Sequence, residues 1–300
     1  MTSWVVKNIR TAPWIAGMIL LAAAFILIIH ISANNMEFSR YNVGWNGTSS
    51  FFSDLDRHRC VEISDPGGLS GYPRNTTLLI IAPYRQPAAG ELAAYSAFLS
   101  EGNTIFLADD FGTGNEILAG IGSRIKILPG NLSSLDRSNS DPYSVIAYRS
   151  AERSPITLPA DIALNRASPL EGGSPLMLTS VMSWSDGNGD RRFNTGENMG
   201  TFPVMALDSP GSGQLIVLSD PSIFINSMYS PADNENNRFL IRNIVAGNNP
   251  ILIDQMNSRT GNAGGVGEIF HVIRNTVNIE IIILCLLMLG IAWTWKKKII

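Results

Sequence analysis

Residues 76–84 read TTLLIIAPY, and that run decides the fold. From Thr77 to Ile81 no polar residue alternates with the apolar ones, so the segment has no face suited to water. Strands of this kind lie inside parallel sheets covered by helices on both sides. NTIFLADD (103–110) repeats the pattern. The intervening AAGELAAYSAFLSEG (88–102) reads as a helix stopped by Gly102, which makes a strand–helix–strand unit.

Outward from this unit, NGTSSFFSDLDRH (46–58) places Phe51, Phe52 and Leu55 on one helical face, and CVEIS (60–64) is a short strand. FGTGNEILAGIG opens a further helix after Asp109 and Asp110. Residues 125–169, rich in Ser, Pro and Asn, read as an irregular or β-rich insertion. PLMLTSVMSWS, TFPVMALDS and GQLIVLSDP follow as strands, and NENNRFLIRNIVAG (234–247) as a closing amphipathic helix. The expected architecture is α/β: one three-layer, Rossmann-like domain over residues 34–255 with a mostly parallel sheet.

Both ends of the 300-residue chain are apolar. PWIAGMILLAAAFILIIHI (13–31) has no charged residue and is long enough to cross a hydrocarbon layer of about 30 Å. Its length favours an uncleaved anchor over a signal peptide. IEIIILCLLMLGIAWTW (279–295) reads as a second span, with Trp293 and Trp295 at the interface. Lys7 and Arg10 before the first span, and Lys296 to Lys298 after the second, hold both termini (1–12 and 296–300) in the cytoplasm. The expectation is a two-pass cell-membrane protein with an extracytoplasmic domain and a linker at 256–278.

Residues 32–278 carry 17 of the 22 basic and 24 of the 25 acidic residues, a net charge of −7, with Lys126 as the sole lysine. This excludes the basic surface that nucleic acid requires. The two cysteines, Cys60 and Cys285, form no disulfide framework. Sequons at Asn46, Asn75 and Asn131 fit an extracytoplasmic surface.

Three constellations carry chemistry. DGNGDRRFNTGE (186–197) fits a twelve-residue calcium loop, with Asp186, Asn188, Asp190, the Arg192 carbonyl, Asn194 and Glu197 at the oxygen positions. Phe193 fits the position that packs the loop down. Arg191 stands where glycine is expected, and the strand-like flanks exclude a full EF-hand; a metal-free polar turn is the competing reading. The cofactor expectation is Ca²⁺, bound at about 10⁻⁴–10⁻³ M. In ADDFGTGNEIL, Asp109, Asp110, Gly112 and Asn115 follow a strand end, where ligands bind in open α/β sheets; helix capping and a glycine turn compete. Asp220 and Asn226 of LSDPSIFIN would gather at the same edge. No nucleophile elbow, triad or GxGxxG fingerprint is present.

The pieces NGTSSF, LLIIAP, EGNTIFLADDFGTGNEIL, GQLIVLSDPSIFIN and DNENNRFLIRNI together resemble the DUF4350 family across about residues 40–246. The resemblance implies a membrane-tethered domain related to the class I glutamine amidotransferase-like fold, shared with gliding-motility and intraflagellar-transport domains. It also implies a ligand- or protein-binding role beside transport or MoxR-type ATPase systems, and no established reaction. The amidotransferase thiol is missing, since Ala82-Pro83 and Asp109-Asp110 occupy the strand ends. The functional expectation is a binding or scaffold domain for a glycan or a membrane-protein partner; the alternative is a cell-surface carbohydrate hydrolase using edge carboxylates.

Overall fold

The computed structural model describes Gly17, Leu21 and residues 35–55, 60–229, 234–246 and 249–261. The expected spans at 13–31 and 279–295, like the terminal segments 1–12 and 296–300, lie outside these apart from Gly17 and Leu21. Among the described residues no helix is long and apolar enough to cross a membrane. The compact unit Glu37–Gly261 holds nearly everything described.

In chain order that unit runs α1 (Ser49–Asp54), β1 (Cys60–Ile63), β2 (Thr77–Ile81), α2 (Ala89–Ser100), β3 (Thr104–Ala108) and α3 (Gly114–Gly120). The insertion supplies β4 (Lys126–Ile127), β5 (Asn131–Ser134), β6 (Ile146–Arg149), β7 (Asp161–Ala163) and β8 (Leu170–Glu171). Then come β9 (Ser174–Thr179), β10 (Ser183–Asp186), β11 (Met199–Gly200), β12 (Pro203–Asp208) and β13 (Gln214–Leu218). The unit closes with α4 (Asn226–Tyr229), α5 (Glu235–Ile244) and β14 (Ile251–Asp254).

Nine strands form one sheet in the order β1-β14-β2-β3-β13-β12-β9-β6-β7. The fold is mixed α/β. The first five strands are parallel, as expected, but the remaining four pairings are antiparallel. The reason is local: β12 and β13 are joined by the short turn Ser209–Gly213, with Gly211 at φ 74°, and so short a connection permits only antiparallel pairing. The insertion extends this antiparallel half through β6 and β7. PLMLTSVMSWS is two strands, not one: β9 stays in the main sheet, while β10 leaves it to pair with β5 and β11 in a three-stranded sheet.

Strand alternation sorts the core into two layers. Leu79, Ile81, Phe106, Ala108, Ile216 and Leu218 pack with Phe51, Phe224, Leu240 and Ile241 on one face. Leu78, Ile80, Ile105, Leu107, Leu215 and Val217 pack with Tyr95, Phe98, Leu99, Ile117 and Leu118 on the other. Helices on both faces leave only the strand ends for polar chemistry.

The domain also runs past the expected boundary at residue 255. Asp254 is fully buried; one carboxylate oxygen accepts from Tyr95 Oη at 2.7 Å, and the other accepts from the Asn257 and Ser258 amides at 2.8 and 2.9 Å. The Ser258 hydroxyl in turn accepts from the Ile81 amide at 3.0 Å. Residues 256–261, expected as linker, are therefore part of the fold, and β14 escaped the sequence because four residues carry little periodicity.

Ala82, immediately after β2 and 3% exposed, sits at φ 48°. Its amide donates to the Ala108 carbonyl at 2.9 Å and its own carbonyl accepts from the Arg259 amide at 3.2 Å, so the strained backbone is held from two sides. A left-handed conformation costs a residue with a Cβ about 1–2 kcal/mol, whereas glycine loses about 0.5–1 kcal/mol through backbone entropy. Ala82→Gly is accordingly expected to raise stability by up to about 1 kcal/mol, and Ala82→Val to lower it. Chemical denaturation of the full-length protein measures both; a lower midpoint for the glycine variant would remove the strain argument.

Candidate functional site

The parallel strands deliver Ala82-Pro83, Asp109–Gly112, Ser219–Ser222 and Asn257–Arg259 to their carboxyl edge. A cleft of about 410 Å³ opens there, lined by Glu37, Phe38, Trp45, Ala82, Pro83, Asp109, Asp110, Phe111, Gly112, Asp141, Asn165, Arg166, Ser222, Ile225 and Arg259. Ligand pockets of small molecules begin near this size, at roughly 300 Å³. Two aromatic side chains in the lining remain largely in solvent, Trp45 at 69% and Phe111 at 59% exposure.

Asp109 shapes the turn. Its carboxylate oxygens accept from the Gly112 amide at 3.0 Å and the Gly114 amide at 2.7 Å. A Cβ on Gly112 would stand 2.0 Å from the Pro83 carbonyl, and one on Gly114 2.5 Å from Asp109 Oδ2, so both positions require glycine. Asn115 does not face the cleft. Its amide group donates to the Ile127 carbonyl at 2.8 Å and accepts from the Ile127 amide at 2.9 Å, closing α3 onto β4 in the manner of a strand partner.

Asp220 is fully buried and accepts from the Ser222 amide at 2.7 Å and from the Asn165 amide, which makes it the cap of the 3-10 turn Pro221–Phe224. Asn226 joins the amino-terminal loop to the sheet edge: it accepts from the Ser50 amide at 2.8 Å and donates to the Gly44 and Asn42 carbonyls at 2.7 and 3.2 Å. Of the six residues expected to bind ligand, Asp109, Asp110 and Gly112 line the cleft, while Asn115, Asp220 and Asn226 hold its walls.

The Asp110 carboxylate accepts from the Phe111 amide at 2.7 Å and from its own amide, both local to the turn. Burial pushes its carboxyl up to about 7, and the negative charges of Asp220 and Asp109 push in the same direction. Burial likewise raises Asp109 and Asp220 to about 6, against the amide donors that favour their ionised forms.

The expected calcium loop connects β10 to β11. Asp186, 2% exposed, accepts from the Gly189 and Arg191 amides, both at 2.7 Å, and from the Tyr143 hydroxyl at 2.8 Å. Asn188 accepts from the Asp190 amide at 3.1 Å, and Asp190 from the Arg192 amide and the Asn194 side-chain amide, both at 2.9 Å. Glu197 accepts from the Asn194 amide at 2.8 Å. Arg191 takes φ 63° at the glycine position, and Phe193 packs edge-on against Trp184 with ring centroids 5.9 Å apart. Among the described residues no three His, Cys, Asp or Glu side chains gather as a metal cluster; the expected calcium set counted Asn and carbonyl oxygens as well.

The sequence reading missed Trp45, Asn165, Arg166 and Arg259. None sits in a motif, and they reach the cleft from three separate segments, with Asn165 and Arg166 adjacent. The lining does share backbone strain, which is invisible in sequence: of the five described non-glycine residues with positive φ, Phe38 (59°), Ala82 (48°) and Arg166 (64°) line the cleft, and of the four missed residues Arg166 carries it.

Taken together these features define a mixed α/β domain with a ligand-sized cleft at the carboxyl edge of its parallel strands. The chain belongs to the DUF4350 family, "Domain of unknown function", whose sequence profile matches residues 40–245. No curated protein matches the chain. Among solved structures it is similar to the mmIFT52 N-terminal domain, at 13% identity and a TM-score of 0.41, covering 58% of this chain and 78% of that one. It is also similar to the β-galactosidase from Bacillus circulans sp. alkalophilus, at 12% identity and a TM-score of 0.31, covering 56% of this chain and 22% of that one. A β-galactosidase from the Antarctic haloarchaeon Halorubrum lacusprofundi gives 13% identity and a TM-score of 0.28, again over 56% and 22%. The chain thus spans under a quarter of either β-galactosidase.

The raised carboxyls fix a pH dependence. A folded-state pKa above the ordinary 3.8 means that the folded protein binds the proton more tightly than the unfolded chain, so these groups cost stability increasingly as pH rises from about 4 to about 7. Asp110→Asn should leave stability near pH 4 unchanged and raise it at pH 8 by at least about 1 kcal/mol. Equal melting temperatures for variant and wild type at both pH values would contradict the assignment.

Proposed function

We propose that the chain is a membrane-tethered, extracytoplasmic binding domain whose edge cleft takes a glycan. The observation that carries this reading is the concentration of strained backbone at the cleft: Phe38, Ala82 and Arg166 hold conformations that cost free energy and are kept there. The lining suits a sugar. Trp45 and Phe111 offer exposed aromatic faces for ring stacking, and Asp110, Asn165 and Ser222 offer polar groups to hydroxyls. A carboxyl with its pKa near 7 serves as donor or acceptor.

The membrane part of the proposal rests on the apolar runs at 13–31 and 279–295 and their flanking cations. We read the fold plan as amidotransferase-like, with Ala82 at the strained turn after β2 and so no thiol there. The hydrolase alternative draws little from the geometry, because Asp220 is a buried cap and Asp109 is committed to the Gly112–Gly114 turn.

Screening the detergent-purified full-length protein against an oligosaccharide array, followed by titration of any hit, tests the reading. Saturable binding that weakens at least about tenfold in Trp45→Ala and Asp110→Ala, equivalent to about 1.4 kcal/mol, is expected. Binding indifferent to both substitutions, or capture of a protein partner with no glycan retained, would refute it; turnover of a bound sugar would favour the hydrolase.

A further inference from the structure

We propose that residues 186–197 form a calcium site whose oxygen shell is completed from the neighbouring strand by Asn131. Residues of β5 and β10 directly opposite one another share a face of the small sheet: Asp186 faces Asn131, and Trp184 faces Ser133. All four therefore lie on one side, and the loop folds back over that side, since its own Phe193 packs on Trp184.

Beneath the loop, three polar atoms sealed from solvent have no protein partner: Asn131 Oδ1, Ser133 Oγ and Trp184 Nε1, with Ser133 at 0% and Trp184 at 2% exposure. Two of them are oxygens. The Asn131 side chain lies against the Tyr143 hydroxyl, which itself donates to Asp186 Oδ2, so Asn131 is directed at the first residue of the loop. Leaving such acceptors unmet costs the folded state their lost hydration. A hard cation beside Asp186 satisfies Asn131 Oδ1.

The loop retains the capacity to bind it. A carboxylate has about four acceptor directions; Asp186 uses three of them on Gly189, Arg191 and Tyr143, and Asp190 three on Arg192, Asn194 and Asn188, which leaves each a free direction. Asp186, Asn188, Asp190, the Arg192 carbonyl, Asn194 and Glu197 with Asn131 give a set of oxygens within the six to eight that calcium takes, and hard oxygen donors without nitrogen or sulfur exclude zinc. The Arg191 cation is turned aside, 3.6 Å from Asp141 and over the Tyr143 ring.

Full-length protein, stripped with chelator, is titrated with CaCl₂ by calorimetry and with Tb³⁺ by tryptophan-sensitised luminescence. One calcium per chain is expected, weakened at least about tenfold in Asp190→Ala and in Asn131→Ala and restored in Asn131→Asp. Asp190 is exposed and bonds only within the loop, so its variant folds. No binding by wild type at millimolar calcium, or unchanged binding by Asp190→Ala, overturns the site. Wild-type affinity in Asn131→Ala overturns the part given to β5.

Discussion

Everything in this domain follows from burying β2, β3 and β13 on both faces. Once Leu78 and Leu79, or Ile105 and Phe106, point into opposite cores, helices must cover both sides of the sheet, and no side chain in the strand interiors is left to meet a ligand. Polar chemistry is forced to the edge. There the chain breaks its own conformational preferences, at Ala82 and Arg166, to turn out of the sheet.

The carboxylates at that edge show how one chemical group can be divided between building and recognition. Asp109 and Asp220 spend their oxygens on backbone amides of the turns that follow their strands, and Asp254 does the same on the opposite end of the network around Tyr95. Asp110, one residue from Asp109, lines the cleft and takes its amides only from itself and Phe111. Adjacent residues of identical type thus differ in role because strand geometry sends them in different directions.

The parallel core was readable because its signal is redundant: continuous apolar runs, a helix between them and glycine at the helix end all agree. The antiparallel half was not, because pairing direction there is set by one short turn around Gly211 and by an insertion of two- to four-residue strands. The site divides the same way. Asp109 and Asp110 announced themselves at a strand end, whereas Trp45 and Arg259 arrive from segments far away in sequence and carry no local mark. Asn115 and Asn226 looked like ligand groups because a sequence shows an amide but not the backbone groups it already serves. In the 186–197 loop the spacing predicted a turn with positive φ at Arg191, and the backbone takes it despite the missing glycine.

The position of β14 has a consequence for how the protein is made. Among the described residues the last strand synthesised lies between β1, the first, and β2, and β1 has no other neighbour in the sheet. On the ribosome, β1 must therefore wait, its edge unmatched, through nearly two hundred residues of translation until Ile251–Asp254 emerges. The parallel half is sealed only once β14 has emerged, so truncation shortly before residue 251 removes four residues of strand and strands a second one with them.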